Sequence, residues 1–499
     1  MALTVLMVAP LAGAAGVLVL RQQSRFEMAR RLGVWVAFWT CLAAVALWIA
    51  WDSSIVGVQF VERAHWVDRL GASYHVGVDG TGLAFVTLVT WIGLVAQVAS
   101  WRVGRRAPAG LAAAMLVLEA AAIGTIVARD LLLFFVATEI VNLTTFALIG
   151  GWGRERRVQA ATKFLIGQLL ASSVFFVALV WLAWRYQIAT GTWSFAIADL
   201  HALDLPAGVQ GGLWMALALV FAIRMPLVPL HTWAVGTFGQ APAPAVMLIG
   251  GVVLPVSGYG LLRVVVPLLP AASSTLVSWL AVAGAVGVGY GAIVALAQAD
   301  LRRLTAGLLI GHLSVAALAA CVGTPQALDA ARLQLLTAGL WSGGWLLVVG
   351  MLAERRSTTL IAEFGGLWDV TPALTIVLIV LAAASMALPG TVGFVAVSAS
   401  LEAVARSEAL PHARLLAGVA VAGVVAWSLG MGWVVRSVTG GAVTRDRNRG
   451  LRDLSRGEWL VIAPFVVAIV VFGLWPDPVR DLLTTVAPAS ADGFAGLGR

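Results

Sequence analysis

Seven ionisable side chains stand inside long apolar runs of this 499-residue sequence: Glu119, Glu139, Lys163, Arg224, His231, His312 and Glu402. Charge in hydrocarbon is costly, so each is by default a piece of an ion or proton pathway whose partner must be found. Glu139, in LLLFFVATEIVNL, sits near mid-run, where a carboxylate stays charged only beside a cation. Arg224, in FAIRMPLVPLHTW, is the cation expected beside it; the competing reading is an ion pair that only fixes the packing. Lys163 is the sole lysine of the chain. A buried lysine can release and regain a proton, which an arginine does not, although a lysine near a helix end also snorkels to the surface. His231 and His312 suit a proton relay and equally suit satisfied packing positions.

The elements that carry these residues are membrane helices. The chain is 61% hydrophobic and only 11% charged, where a soluble domain carries about a quarter charged residues. Apolar windows of helical length recur near 3–20, 33–51, 81–101, 109–128, 131–150, 162–183, 211–236, 243–266, 274–298, 304–322, 333–353, 372–397, 413–436 and 458–476, giving an all-α polytopic protein of about 14 spans. Cys41 and Cys321 both lie in apolar runs, so neither a disulfide framework nor a cysteine metal site is expected. The apolar start has no basic n-region and reads as a retained span rather than a signal peptide. The net charge of +8 comes without a basic groove and interleaved aromatics, so no nucleic-acid partner is expected. The arginines report topology instead. About twenty fall in alternate connectors, including RQQSRFEMARR (21–31), RVGRR (102–106), GRERR (153–157), DLRR (300–303), ERR (354–356) and the 436–456 loop, against about ten elsewhere. Those loops are assigned to the cytoplasm and both termini to the outside of an inner, cytoplasmic membrane. The outer connectors 52–80 and 184–210 are expected to fold as hairpins or amphipathic pieces, and no long lateral helix is expected after the last span.

Two spans carry matching interruptions. Pro226 and Pro229 break the seventh, and Pro389-Gly390 in MALPGTVGF breaks the twelfth. Each is the fourth of a five-span block, and an odd block inverts the next one. The resulting expectation is a three-span segment (1–108), two inverted five-helix repeats (109–266 and 267–437) and a C-terminal loop, helix and tail (438–499). Matched broken helices in inverted repeats point to an ion path near the midplane.

At these residues the sequence resembles the antiporter-like, proton-translocating membrane subunits of respiratory complex I, particularly the M-type. The resemblance runs through WVDRLGASYHVGVDGTGLAF (66–85), ARDLLLFFVATEIVNLTTFALIGGWGRERR (128–157), RMPLVPLHTWAVGTFGQAPAPAVMLIGGVVLPVSGYGLLR (224–263), YGAIVALAQADLRRLTAGLLIGHLS (290–314) and the stretch from IAEFGGLWDVTPAL to MALPGTVGFVAV (361–397). It implies a fourteen-span fold and partners among the other subunits of a membrane arm, with lipid around them and protons as cargo. It implies that Glu139 is the acidic residue of span five, and that Arg224 takes the place of the span-seven lysine paired with it. It places His231 after the broken helix and His312 in span ten. Other positions depart from the pattern: a span-eight lysine falls on Pro255, span-eleven basic positions on Ala338 and Ser342, and a span-twelve charged position on Val397. Glu402 is the substitute available for the last.

The expected function is therefore proton translocation coupled to quinone reduction, over a partly degenerate path of Glu139, Arg224, Lys163, His231, His312 and Glu402. No cofactor is expected in this chain, which has neither a cysteine cluster nor a glycine-rich nucleotide fingerprint. The alternatives are a non-pumping structural subunit of the same arm, or a membrane subunit of a cation/proton antiporter or a proton-coupled inorganic-carbon uptake complex.

Overall fold

The computed structural model describes residues 1–55, 57–101, 108–268, 274–443 and 446–484. The basic loop 102–106 and the tail beyond 484 lie outside the described residues. Among the described residues, thirteen helices are long and apolar enough to cross a bilayer. In chain order they are spans one (Ala2–Gln22), two (Phe26–Ile49), three (Gly80–Ser100), four (Pro108–Val127), five (Leu131–Trp152), six (Arg157–Thr190), seven (Ala207–Arg224), eight (Ala243–Leu268), nine (Ser274–Leu296), ten (Leu301–Ala320), eleven (Pro325–Arg356), thirteen (Ala413–Thr439) and fourteen (Arg456–Leu474). Span twelve consists of two shorter helices, Pro372–Ser385 and Val392–Ala405, and span seven continues after its break as Thr232–Gln240. Spans four, eight, ten and eleven are sheathed by the others, with about nine-tenths of their apolar windows inside the protein. Those are the elements best placed to hold polar side chains away from lipid.

The repeats share their hydrogen bonding. Asp130 caps span five by accepting from the amides of Leu132 and Leu133, and Asp300 caps span ten by accepting from Arg302 and Arg303. Each cap satisfies orphan first-turn donors, worth about 1 kcal/mol. Each also sits in an isolated bridge to the connector after the following helix or helices: Asp130 to Ala196, Asp300 to Leu360. Span five starts outside by the loop charges, whereas span ten starts among the cytoplasmic arginines, so the same device is built in opposite orientations. The two breaks also agree in register. Met225 donates to Phe221 and Leu227 to Ala222, as Met386 donates to Ala382 and Leu388 to Ala383. Arg224 therefore corresponds to Ser385.

The outer connector 52–80 forms an antiparallel hairpin, β1 (Gln59–Val67) and β2 (Ala72–Val78), and the second outer connector carries the short helix Ile197–His201. Two ionic links tie the hairpin to the bundle. Asp79, just after β2, receives Arg263 of span eight at 2.5 Å, with Arg129 3.5 Å away. Glu62 of β1 accepts from the amides of Leu3 and Thr4 at 2.8 and 3.3 Å and from the Thr4 hydroxyl. Burial works against the Glu62 carboxylate, but the Thr4 and Leu3 bonds together with the Met1 ammonium 3.2 Å away outweigh it and hold the group below the ordinary carboxylate range. A depressed folded-state value means the link contributes fully above the unfolded value, about pH 4.3, and is lost as pH falls through the lower folded one. Hydrogen exchange at the Leu3 and Thr4 amides, corrected for intrinsic rate, is expected to accelerate only below about pH 4. In Glu62→Gln it should already be fast at neutral pH.

Span eight is not a regular helix. Two π-helical segments, Ile249–Val253 and Leu261–Val265, straddle Pro255. Proline lacks the amide that would close the ladder, and a wider turn accommodates the mismatch.

Candidate functional site

Glu139 and Arg224 meet inside the membrane. Glu139 lies eight residues into span five, about 12 Å from its outer end. Arg224 is the last residue of span seven before the break, where the helix presents free carbonyls and the negative end of its dipole. A cation is favoured at that position. The Arg224 Nη2 donates to Glu139 Oε1 at 3.1 Å and to the Ser172 hydroxyl at 3.4 Å, while Ser172 donates to the same Oε1 at 2.5 Å. Asn142, one turn along span five, donates to it at 3.3 Å. Phe175 and Phe221 present ring faces to the guanidinium carbon, with centroids 5.4 and 6.0 Å away.

The two partners differ in access. Arg224 is 2% exposed, and its Nε and Nη1 have no hydrogen-bond partner among the described residues; Glu139 is 22% exposed. All three donors converge on Oε1, leaving Oε2 as the oxygen on which a proton can be accepted without displacing them. Arginine stays protonated, so proton exchange at this pair belongs to Glu139, and Arg224 sets the field it works in.

His231 follows the break, with its ring edge-on to Tyr290 of span nine at 5.0 Å and Lys163 within electrostatic range. Lys163 itself is exposed on span six, and no bond from it to the Glu139 cluster exists among the described residues. It stands at the edge of the site.

His312 is fully buried between spans ten, eleven, twelve and thirteen. Its Nδ1 faces the Gln334 amide at 2.9 Å, its Nε2 faces the Ser385 carbonyl at 3.0 Å, and its ring stacks on Trp427 at 4.7 Å. Glu402 does not join this axis. Its side chain is 57% exposed and paired with Arg406. Five residues beyond Val397 is a rotation of about 140° around a helix, which turns Glu402 to the other face from the inward-facing Val397. Val397, Pro255, Ala338 and Ser342 are all buried, so span eight of the first half and spans eleven and twelve of the second carry none of the ionisable groups that the resemblance calls for at these positions.

Two contributors escape sequence reasoning. Ser172 and Gln334 are ordinary polar residues whose roles depend on helix rotation. Glu119 of span four stands out in the sequence, but its surroundings are not legible there: both carboxyl oxygens are buried without partners, against Gly93, where a Cβ would lie 2.8 Å from the carboxyl carbon.

The family described as NADH:quinone oxidoreductase/Mrp antiporter, TM, matches residues 128–421, more than half the chain. The chain belongs to this family. Among relatives, the NADH-quinone oxidoreductase subunit M of Rhodobacter capsulatus is 32% identical over 492 residues, covering 96% of this chain and 94% of its own. The Escherichia coli subunit M is 30% identical over 424 residues, covering 83% and 82%. A chain of respiratory complex I from Thermus thermophilus superposes with a TM-score of 0.86 at 25% identity over the full length of both. A chain of the Dietzia Mrp complex gives 0.84 at 19% identity, covering 99% and 97%, which shows the common fold. Within the NADH:quinone oxidoreductase/Mrp antiporter family, the antiporter-like architecture and its two broken spans are thus present here in full.

Proposed function

We propose that this chain is the M-type antiporter-like subunit of a complex I-like NADH:quinone oxidoreductase in the inner membrane, docked among other membrane-arm subunits, where it moves protons while partner subunits reduce quinone. The observation that carries this reading is the Glu139, Ser172 and Arg224 cluster at the break of span seven, inside a chain of this family. A carboxylate placed against a fixed cation, with one oxygen left open, is a group positioned to take up and give back a proton. Lys163 and His231 would serve its cytoplasmic side and His312 the second half.

A second reading, a non-pumping member of the same arm, is favoured by the losses at Pro255, Ala338, Ser342 and Val397. Proton and electron counts separate the two. With the assembled complex in proteoliposomes, Glu139→Gln should lower protons moved per electron by this chain's share while uncoupled quinone reduction persists. An unchanged ratio in a fully assembled complex would leave the structural reading standing.

A further inference from the structure

The two donor-acceptor contacts of His312 fix its protonation state. The Gln334 amide nitrogen can only donate, and it also donates to the His312 backbone carbonyl at 3.3 Å, which sets the amide's orientation. His312 Nδ1 must therefore accept and carry no proton. The Ser385 carbonyl can only accept, so Nε2 carries the proton and donates. The ring is the neutral Nε2–H tautomer. Among the described residues no charged group stands against it from spans nine, eleven, twelve or thirteen.

That arrangement is incomplete in one respect. Among the described residues, the Gln334 Oε1 is buried without a partner. Burying an amide oxygen unsatisfied costs about 1–3 kcal/mol, a penalty relieved as soon as a donor comes within hydrogen-bond reach. A proton added at Nδ1 is such a donor, provided the amide turns over. The charged ring would then be held by Gln334 Oε1 on one side and by the Ser385 carbonyl, at the negative end of a half-helix, on the other. Trp427 and Trp341, with centroids 4.7 and 5.1 Å from the ring, would add their π faces.

Resting on the proton-translocating reading above, we propose that Gln334 is the positioning residue of the second half: its amide rotates as His312 gains a proton at Nδ1, making the pair a two-state relay without a carboxylate or a lysine. The step balances simply. A hydronium ion gives its proton to Nδ1 and becomes water, and return of that same Nδ1 proton to a water molecule regenerates hydronium and the neutral Nε2–H ring, with the Nε2 proton held by the Ser385 carbonyl throughout. In register, Ser385 stands where Arg224 stands in the first repeat, so a titratable ring here faces a neutral break in place of a fixed cation.

The test is a nitrogen-15 NMR titration of the full-length chain in nanodiscs with labelled histidine, the His312 signals being assigned by their loss in His312→Gln. The wild type should show the Nε2–H tautomer at neutral pH. Gln334→Met, similar in volume but unable to accept, should move ring protonation to lower pH by about one unit, and Gln334→Glu should move it upward. Identical titrations in all three chains, or an Nδ1–H tautomer in the wild type, would overturn the proposal. Should Gln334→Met misfold, the tautomer of the wild type and the shift in Gln334→Glu still decide it. Proton counting in the assembled complex is a separate readout: opposite shifts with unchanged pumping in the Gln334 variants would overturn the relay, whereas the translocating reading itself stands or falls on Glu139→Gln.

Discussion

Arg224→Met is expected to destabilise the protein by about 3–5 kcal/mol, and adding Glu139→Gln should recover most of that loss. The reason is the asymmetry of buried pairs. Removing one partner strands the other in a medium that solvates it poorly, whereas neutralising both leaves ordinary polar contacts. Here the stranded group would be Glu139, left with Ser172 and Asn142 as neutral donors. Glu139→Gln alone should cost less than Arg224→Met, since an amide oxygen can still accept from Ser172 and Arg224, and the guanidinium retains its aromatic neighbours Phe175 and Phe221. Thermal unfolding in one detergent, run on the two single variants and the double, gives the coupling directly. Additive losses would mean the pair is not coupled.

Gly393→Ala is expected to be more disruptive than its size suggests, by about 3 kcal/mol or more, enough to block assembly. A Cβ at this position would lie 1.9 Å from the Ala384 backbone carbonyl oxygen, across the break of span twelve. No side chain can rotate to relieve a clash with backbone, so the break itself would have to rebuild. Gly390, three residues earlier, offers the control. It has φ +85° but open space around it, its nearest neighbour being a Leu474 methyl at 3.9 Å. Gly390→Ala should therefore lose only the conformational term, about 1–2 kcal/mol, and still assemble. Expression and complex assembly of the two variants, measured side by side, check the order.

Much of this is readable from residue types because membrane burial makes polar exceptions conspicuous. Pro226, Pro229 and Pro389-Gly390 announce the two breaks, and Glu139 and Arg224 are far too costly in apolar runs to stand apart. Alternating arginine content supplies the expected orientation. What escapes depends on rotation and register, which composition does not encode. Glu402 looks available for the second half, yet the helical turn carries it away from the axis and beside Arg406. The π-helical segments around Pro255 leave no trace in a hydrophobic window, and Asp79 gives no hint in sequence that Arg263, far along the chain, closes on it. Ser172 and Gln334 are unremarkable until their neighbours are known. The shared caps at Asp130 and Asp300 are within reach of sequence reasoning, since an aspartate opens each of spans five and ten.

The central claim is that Glu139 exchanges a proton during turnover while Arg224 stays charged beside it. Infrared difference spectroscopy of the assembled complex, comparing resting and turning-over states in water and deuterium oxide, reads this most directly. A carboxylic-acid C=O band that appears on turnover, shifts in deuterium oxide and vanishes in Glu139→Gln is the predicted result. A wild-type spectrum in which no such band depends on Glu139 would show a permanently ionised structural pair and contradict the account.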